Sequence, residues 1–261
     1  MATEYKQSTI AEMFESERLM VLEAHERYPA YYAHAEEAVN FLSNFIKSIK
    51  ADRWIFGSFL SQVKKHALLA LFSTVRLHRV QAMMDLRQVL EAGTAAAFAI
   101  VHPKHEHFVT IDEKGLVDAS PQLAKKRYAW LADNYPKSSA SIKGQKDLIN
   151  GFMAHANLVA ADGNFRVSDR GDSFDAPFFD LEDEHFVKTD LWMIGDIAIG
   201  LMQLFYLVNN EHGVITFVDG FLARLNTLQE ANRALRAEMM ASERYKAVQH
   251  LSSPPAPDGT I

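Results

Sequence analysis

The sequence predicts an all-α fold, a multi-helix bundle with one or two short β-hairpin excursions, and three observations carry that prediction. Glycine (12) and proline (8) are scarce in 261 residues, and Pro254, Pro255 and Pro257 lie close to the end. The body therefore lacks the residues that punctuate a many-stranded sandwich or barrel. Apolar residues recur at spacings of three and four over long windows, the period of an amphipathic helix. Between Asp52 and His102 there is no proline, and the only glycines are Gly57 and Gly93.

Thr9 with Glu12 three residues on forms a capping box, which predicts a first helix from Ile10 to about Glu26. Pro29 suits a first helical position and opens a second helix to about Lys50, with Tyr31, Ala35, Ala38, Leu42, Phe45 and Ile49 on one face. Asp52 is placed to cap a third helix. The stretch that follows is long enough to hide one reversal, expected near Val75–Arg79, where apolar runs on both sides meet a basic cluster. Phe108–Ile111, a DEKG turn and Leu116–Val117 predict a small hairpin. Ser120-Pro121 restarts a helix to about Asn134, and another is expected from about Ser141 to Val159. Residues 162–180 are polar with aromatic insertions and predict an ordered excursion or short hairpin. An apolar helix over 184–210 and a long final helix from about Ile215 to Gln249 complete a single domain over 1–250. Residues 251–261 have the composition of a disordered tail.

Composition narrows the function classes. Hydrophobic residues at 48% and charged residues at 23% exclude a disordered or collagen-like chain. The absence of cysteine removes disulfides, zinc–thiolate sites, iron–sulfur clusters and a thiol nucleophile. A net charge of −6 gives no push toward DNA or an anionic membrane. The N-terminus has neither a basic nor an apolar signal region, so a soluble cytoplasmic protein without membrane association is expected. Leu191–Val208 reaches the length of a membrane span but carries Asp196 near its middle, which predicts a buried core helix instead. GxxxxGK[ST], GxGxxG after a strand, GxSxG and HExxH are all missing, so no cofactor is indicated. His102, His105 and His107 straddle a proline at a helix end, which predicts a solvated loop and no metal site.

Val214, Val218, Phe221, Leu225, Leu228, Asn232, Leu235 and Met239 alternate spacings of four and three, a heptad seam with one polar residue. The seam is expected either to pack on its own chain or to join two copies, and the homo-oligomer through residues 214–239 is the partner the sequence offers.

Three polar features interrupt apolar helices. Arg87 and Glu91 lie four apart among Met83, Met84, Leu86, Leu90 and a run of alanines, so burial and mutual pairing are expected. In NGFMAHAN, residues 150–157, His155 stands with Asn150 and Asn157 at a helix end. Asp196, isolated among isoleucines, needs a cation or donors, for which Arg76, Arg79 and Arg87 are candidates. One internal network joining Arg87, Glu91, His155 and Asp196 would satisfy all of them, either as a structural tie or as a pocket with His155 as acid/base and Arg87 binding an anion.

The Arg-x-x-x-Glu pair in an apolar helix, followed later by a helix with a lone His and Asn, resembles bacterial all-helical families similar to the HEPN superfamily. The resemblance covers roughly residues 55–210 in layout. It implies an all-helical component of a defence or toxin system, and for some members metal-independent ribonuclease activity. The nuclease signature of that superfamily is an Arg followed by four to six residues and a His, and Arg27-YPAYYA-His34 fits that spacing. The pair implies phosphate stabilisation by Arg27 and proton transfer by His34 across two turns on one helical face. It sits early in the chain, whereas the superfamily carries its pair late. Three functions follow as expectations: a helical protein acting through interaction or self-association, a ribonuclease using Arg27 and His34 on RNA, and a small-molecule sensor around Arg87, Glu91 and His155.

Overall fold

The computed structural model describes residues 9–111, 113–115, 117–118, 121–152, 166–167, 174–175, 178–180 and 182–249. Within them the fold is an all-α bundle of nine helices with three two-stranded antiparallel pairs. His155, Asn157, the Ser120 cap and the 251–261 tail lie outside the described residues.

Helix α1 (Ile10–Arg27) starts at the expected capping box: Glu12 N–H donates to Thr9 Oγ1 at 3.2 Å, and Thr9 N–H donates to Glu12 Oε2 at 2.8 Å. The chain breaks at Tyr28 (φ −133°, ψ 53°) and re-enters a helix at Pro29. Helix α2 (Pro29–Asn44) ends six residues before the expected Lys50, because Ile46–Ile49 form strand β1. That strand pairs with β6 (Ile215–Phe217), and bonds from Lys50 N–H to Val214 O and from Val218 N–H to Phe45 O extend the ladder. Phe45 is fully buried against Phe205, Phe217 and Phe221, so a distant partner overrides local helix periodicity. Asp52 does not cap the third helix. It lies in a 3₁₀ turn (Ala51–Arg53) and pairs with the Arg53 guanidinium.

Helices α3 (Trp54–Val75) and α4 (Arg79–Val101) form the antiparallel hairpin expected from the sequence, reversing at residues 76–78. Leu77 turns the corner at φ 58°, a left-handed conformation that disfavours a bulky residue. Its carbonyl accepts from Asp180 N–H at 2.9 Å, and Asp180 Oδ2 accepts from Arg79 N–H at 2.5 Å, which clamps the strained corner. The predicted hairpin follows as β2 (Thr110–Ile111) and β3 (Val117–Asp118), with Gly115 at φ 78°. Helix α5 (Pro121–Asn134) matches expectation, while α6 (Pro136–Phe152) begins at its own first-turn proline and not near Ser141. The excursion after α6 contains β4 (Arg166–Val167) and β5 (Phe174–Asp175).

Helix α7 (Glu184–His212) is the central element, touching α2, α3 and α4. It is long and apolar enough to cross a membrane, and 67% of its most apolar window is buried inside the protein. The expected final helix is interrupted: after β6 the chain turns at Gly220 (φ 74°) into α8 (Phe221–Ala241), and Ser242 separates that from α9 (Glu243–Gln249). Asn209 explains the interruption. Its buried amide accepts from Val214 and Ile215 N–H at 2.7 and 2.6 Å and donates to Ile215 O at 2.9 Å, fixing an extended segment beyond the α7 terminus. Val214 and Val218 therefore leave the heptad seam. Of the rest, Phe221, Leu225, Leu228, Asn232 and Leu235 are buried and Met239 is partly exposed, and α8 packs on α2 and α7 of the same chain. The homo-oligomer expectation thus draws no support from that face. One apolar cluster runs from Ala24 to Leu235 through every large helix.

Candidate functional site

Helices α5 and α6 lie over α4 as a separate hairpin, and α6 is fastened to the core largely by polar groups. Of its apolar residues only Ile142 and Ile149 are described as buried, while Leu148 is 50% exposed. Two polar clusters meet its inner side, where the sequence suggested one. The physical reason is the helical period: Gln145 points toward α7, whereas Lys146 and Asn150, four apart, both reach α4.

The first cluster contains Arg87, Glu91 and Asn150 from the sequence analysis, joined by Lys146 and Tyr128. Arg87 Nε donates to Glu91 Oε1 at 3.3 Å and Nη1 donates to Asn150 Oδ1 at 2.9 Å. Lys146 Nζ stands 3.2 Å from Glu91 Oε1, donates to the Tyr128 hydroxyl at 2.7 Å and lies 4.4 Å from the Tyr128 ring centre. Burial depresses the Arg127 pKa, and the charge of Glu91 is among the influences raising it, so a third cation lies within electrostatic reach of the same carboxylate. The expected burial of Arg87 is not observed. Its side chain is 35% exposed and that of Glu91 is 38%, and Met84, three residues before Arg87 on α4, is exposed as well. The cluster borders a groove of about 520 Å³ between α5 and α6, lined by Tyr128, Ala129, Ala132, Lys143, Lys146 and Asn150 among others. That volume falls in the range of small-molecule sites.

The second cluster joins Asp196 to His34, which the sequence had assigned to a different site. Asn232 Nδ2 donates to Asp196 Oδ1 at 2.8 Å, and Gln145 Nε2 donates to Oδ2 at 2.9 Å. With its amide nitrogen committed to a carboxylate, Asn232 turns its oxygen to His34 Nε2 at 3.0 Å, which makes that nitrogen the protonated one. Amide donors, and none of Arg76, Arg79 or Arg87, thus satisfy Asp196. Burial raises the Asp196 pKa, against the two amide bonds that lower it, and burial lowers that of His34. A cavity of about 170 Å³, with Leu90, Ile142, Ile197 and Leu201 in its wall, adjoins Gln145.

Arg27 and His34 do not meet on one helical face. The break at Tyr28 puts Arg27 at the end of α1, paired with Glu182, while His34 is inside α2 and 7% exposed. The histidine segment is solvated at His105, which is exposed with Lys104 and Glu106, while His102 and His107 are half-buried. Phe98 lies 4.3 Å from the His102 ring and 6.0 Å from His107, with Trp130 edge-on to both Phe98 and His102. Among the described residues no group of three or more His, Asp or Glu could hold a metal ion.

Sequence reasoning missed the buried pair of Arg79 with Asp190, whose Oδ2 accepts from Nε at 2.8 Å. It also missed His66 Nδ1 with Asp85 at 2.8 Å, and Glu17 with His78 at 2.7 Å. None of these pairs has a local spacing that would announce it. Among the described residues the one buried side-chain polar atom without a partner is Thr74 Oγ1. Comparison of the chain with protein-family models, with curated proteins and with solved structures finds no match.

Proposed function

We propose that this chain is a non-catalytic helical binding protein that holds a small molecule in the groove between α5 and α6. The observation that carries this reading is that Lys146 and Asn150 on the groove wall hold Glu91 and Arg87, whose side chains are each about a third exposed. By contrast, His34, Asn232 and Asp196, and Arg79 with Asp190, are tied to one another inside the bundle. The ribonuclease alternative has less support, since the ring of His34 is enclosed and Arg27 belongs to another helix.

Saturation-transfer NMR on the full chain with benzoate, phenyl phosphate, benzyl alcohol and benzylamine tests the reading. At least one probe is expected to bind, and Ala132→Trp, which fills the groove from an exposed position, should abolish its signal. If no probe binds, or if the bound probes are indifferent to Ala132→Trp, the groove is not a binding site.

A further inference from the structure

The charge around the groove is anomalous for this molecule. In a chain of net charge −6, Arg87 and Lys146 both contact one carboxylate, that of Glu91, and Arg127 lies within its electrostatic reach. On the groove wall Lys143 and Asp147 offset each other, so the local balance stays positive. Glu91 satisfies its cations loosely. Its contacts at 3.3 and 3.2 Å exceed the 2.8 Å of the shorter of the two bonds between Arg79 and Asp190, the other being 3.3 Å. Charge-assisted bonds of good geometry fall at roughly 2.7–2.9 Å. The Glu91 side chain is also more than a third exposed, so it can swing toward water without a buried charge being stranded.

We infer that the groove takes a small organic anion, a carboxylate or a phosphate monoester on an apolar body, whose head group replaces Glu91 between Arg87 and Lys146. This inference rests on the groove being a binding site. Asn150 helps to orient the Arg87 guanidinium through its 2.9 Å bond, and an arginine held in this way presents its remaining donors as a planar fork. Lys146, steadied on the Tyr128 hydroxyl and ring, supplies a point charge. The methyl groups of Ala129 and Ala132 and the ring of Tyr128 offer an apolar wall for the body of the ligand. Glu91 then acts as an internal stand-in for the ligand, keeping the cations paired while the groove is empty and competing with the anion for them.

Isothermal titration calorimetry on the full chain separates this inference from the broader reading. Benzoate or phenyl phosphate should bind on the order of tenfold more tightly than benzyl alcohol or benzylamine, and more weakly as salt is raised. Which of the two anions binds better identifies the head group. Glu91→Gln should tighten anion binding severalfold, since it removes the competitor, a gain that a purely structural role for Glu91 would not produce. Lys146→Gln should weaken it on the order of tenfold, with Arg87→Gln as the second variant if circular dichroism shows the first to be misfolded. Anions bound no better than benzyl alcohol, or bound less tightly by Glu91→Gln, would overturn the inference. Binding of the neutral or cationic probe that Ala132→Trp removes would leave the groove as a site for a different ligand. Binding of none of the four would remove both.

Discussion

Replacing Arg79 with Met should lower the stability of the fold by about 2–3 kcal/mol at about pH 8, the cost of stranding or protonating a buried carboxylate. Arg79 reaches Asp190 with Nε at 2.8 Å and Nη2 at 3.3 Å, and Asp190 is 3% exposed on the central helix α7. Burial pushes the Asp190 pKa up to about 6 even with the guanidinium beside it, and the nearby Asp180 charge adds to the rise. Methionine keeps an apolar chain of similar length beside the Phe186 ring, over which the guanidinium carbon lies at 4.5 Å, and the backbone N–H of residue 79 still reaches Asp180. The sign with pH follows from linkage. A carboxyl whose folded pKa lies above its unfolded value makes the folded state bind the extra proton, so stability grows as pH falls through that interval. In the native protein the interval runs from the ordinary value of 3.8 up to about 6. Without Arg79 it extends further upward. The deficit of Arg79→Met should therefore be largest at about pH 8 and shrink toward about pH 5, as Asp190 is neutralised in the variant first. Urea unfolding followed by circular dichroism at the two pH values measures it. A deficit of equal size at both would mean that Asp190 does not carry the cost.

The parts of this fold that the sequence made legible are those set by local rules. Thr9 and Glu12 bond each other within one turn, Pro29 and Pro121 open helices wherever they stand, and the basic reversal at residues 76–78 separates two apolar runs. The misreadings share a different cause. Ile46–Ile49 and Ile215–Phe217 carry apolar spacings compatible with helix, and only their mutual pairing, more than 160 residues apart in the chain, makes them strands. Asn232 looked like a register device between two copies, because a buried amide in a heptad seam has that use in coiled coils. In the folded chain the same amide bridges Asp196 and His34 across α7 and α2. The candidate site was half visible: Arg87 and Glu91 show themselves by a spacing of four, and Asn150 by interrupting a helix end. Lys146 and Tyr128 gave no such signal, since a lysine or a tyrosine on an amphipathic helix reads as solvated surface until α5 and α6 are laid over α4.

Gly195→Ala should destabilise the protein by about 2–3 kcal/mol, against the helix propensity that favours alanine by about 1 kcal/mol inside a helix. Gly195 lies in the middle of α7, where α2 comes closest: an added Cβ would stand 2.8 Å from both Cδ2 and Nε2 of His34. The ring has little room to retreat. Its Nε2 is bonded to Asn232, whose own amide is fixed on Asp196 and whose carbonyl accepts from Trp192 Nε1 at 3.0 Å. Ala35 and Ala38, both fully buried on α2, show that small residues also sit beside His34 on that helix. Relief must come from shifting α2 or from breaking the His34–Asn232 bond, and either costs more than the propensity returns. Gly200 supplies the control, because it lies one and a half turns further along the same helix with nothing within 4 Å of a Cβ. Gly200→Ala should stabilise by roughly 0.5–1 kcal/mol, so the two glycines of one helix are expected to respond with opposite sign. Adding His34→Ala to Gly195→Ala removes the clashing ring, and the double variant should be more stable than the sum of the single changes by about 1–2 kcal/mol. Urea denaturation of the four variants and the native chain measures every term. Additive effects of Gly195→Ala and His34→Ala would show that the two helices do not depend on the missing Cβ for their approach.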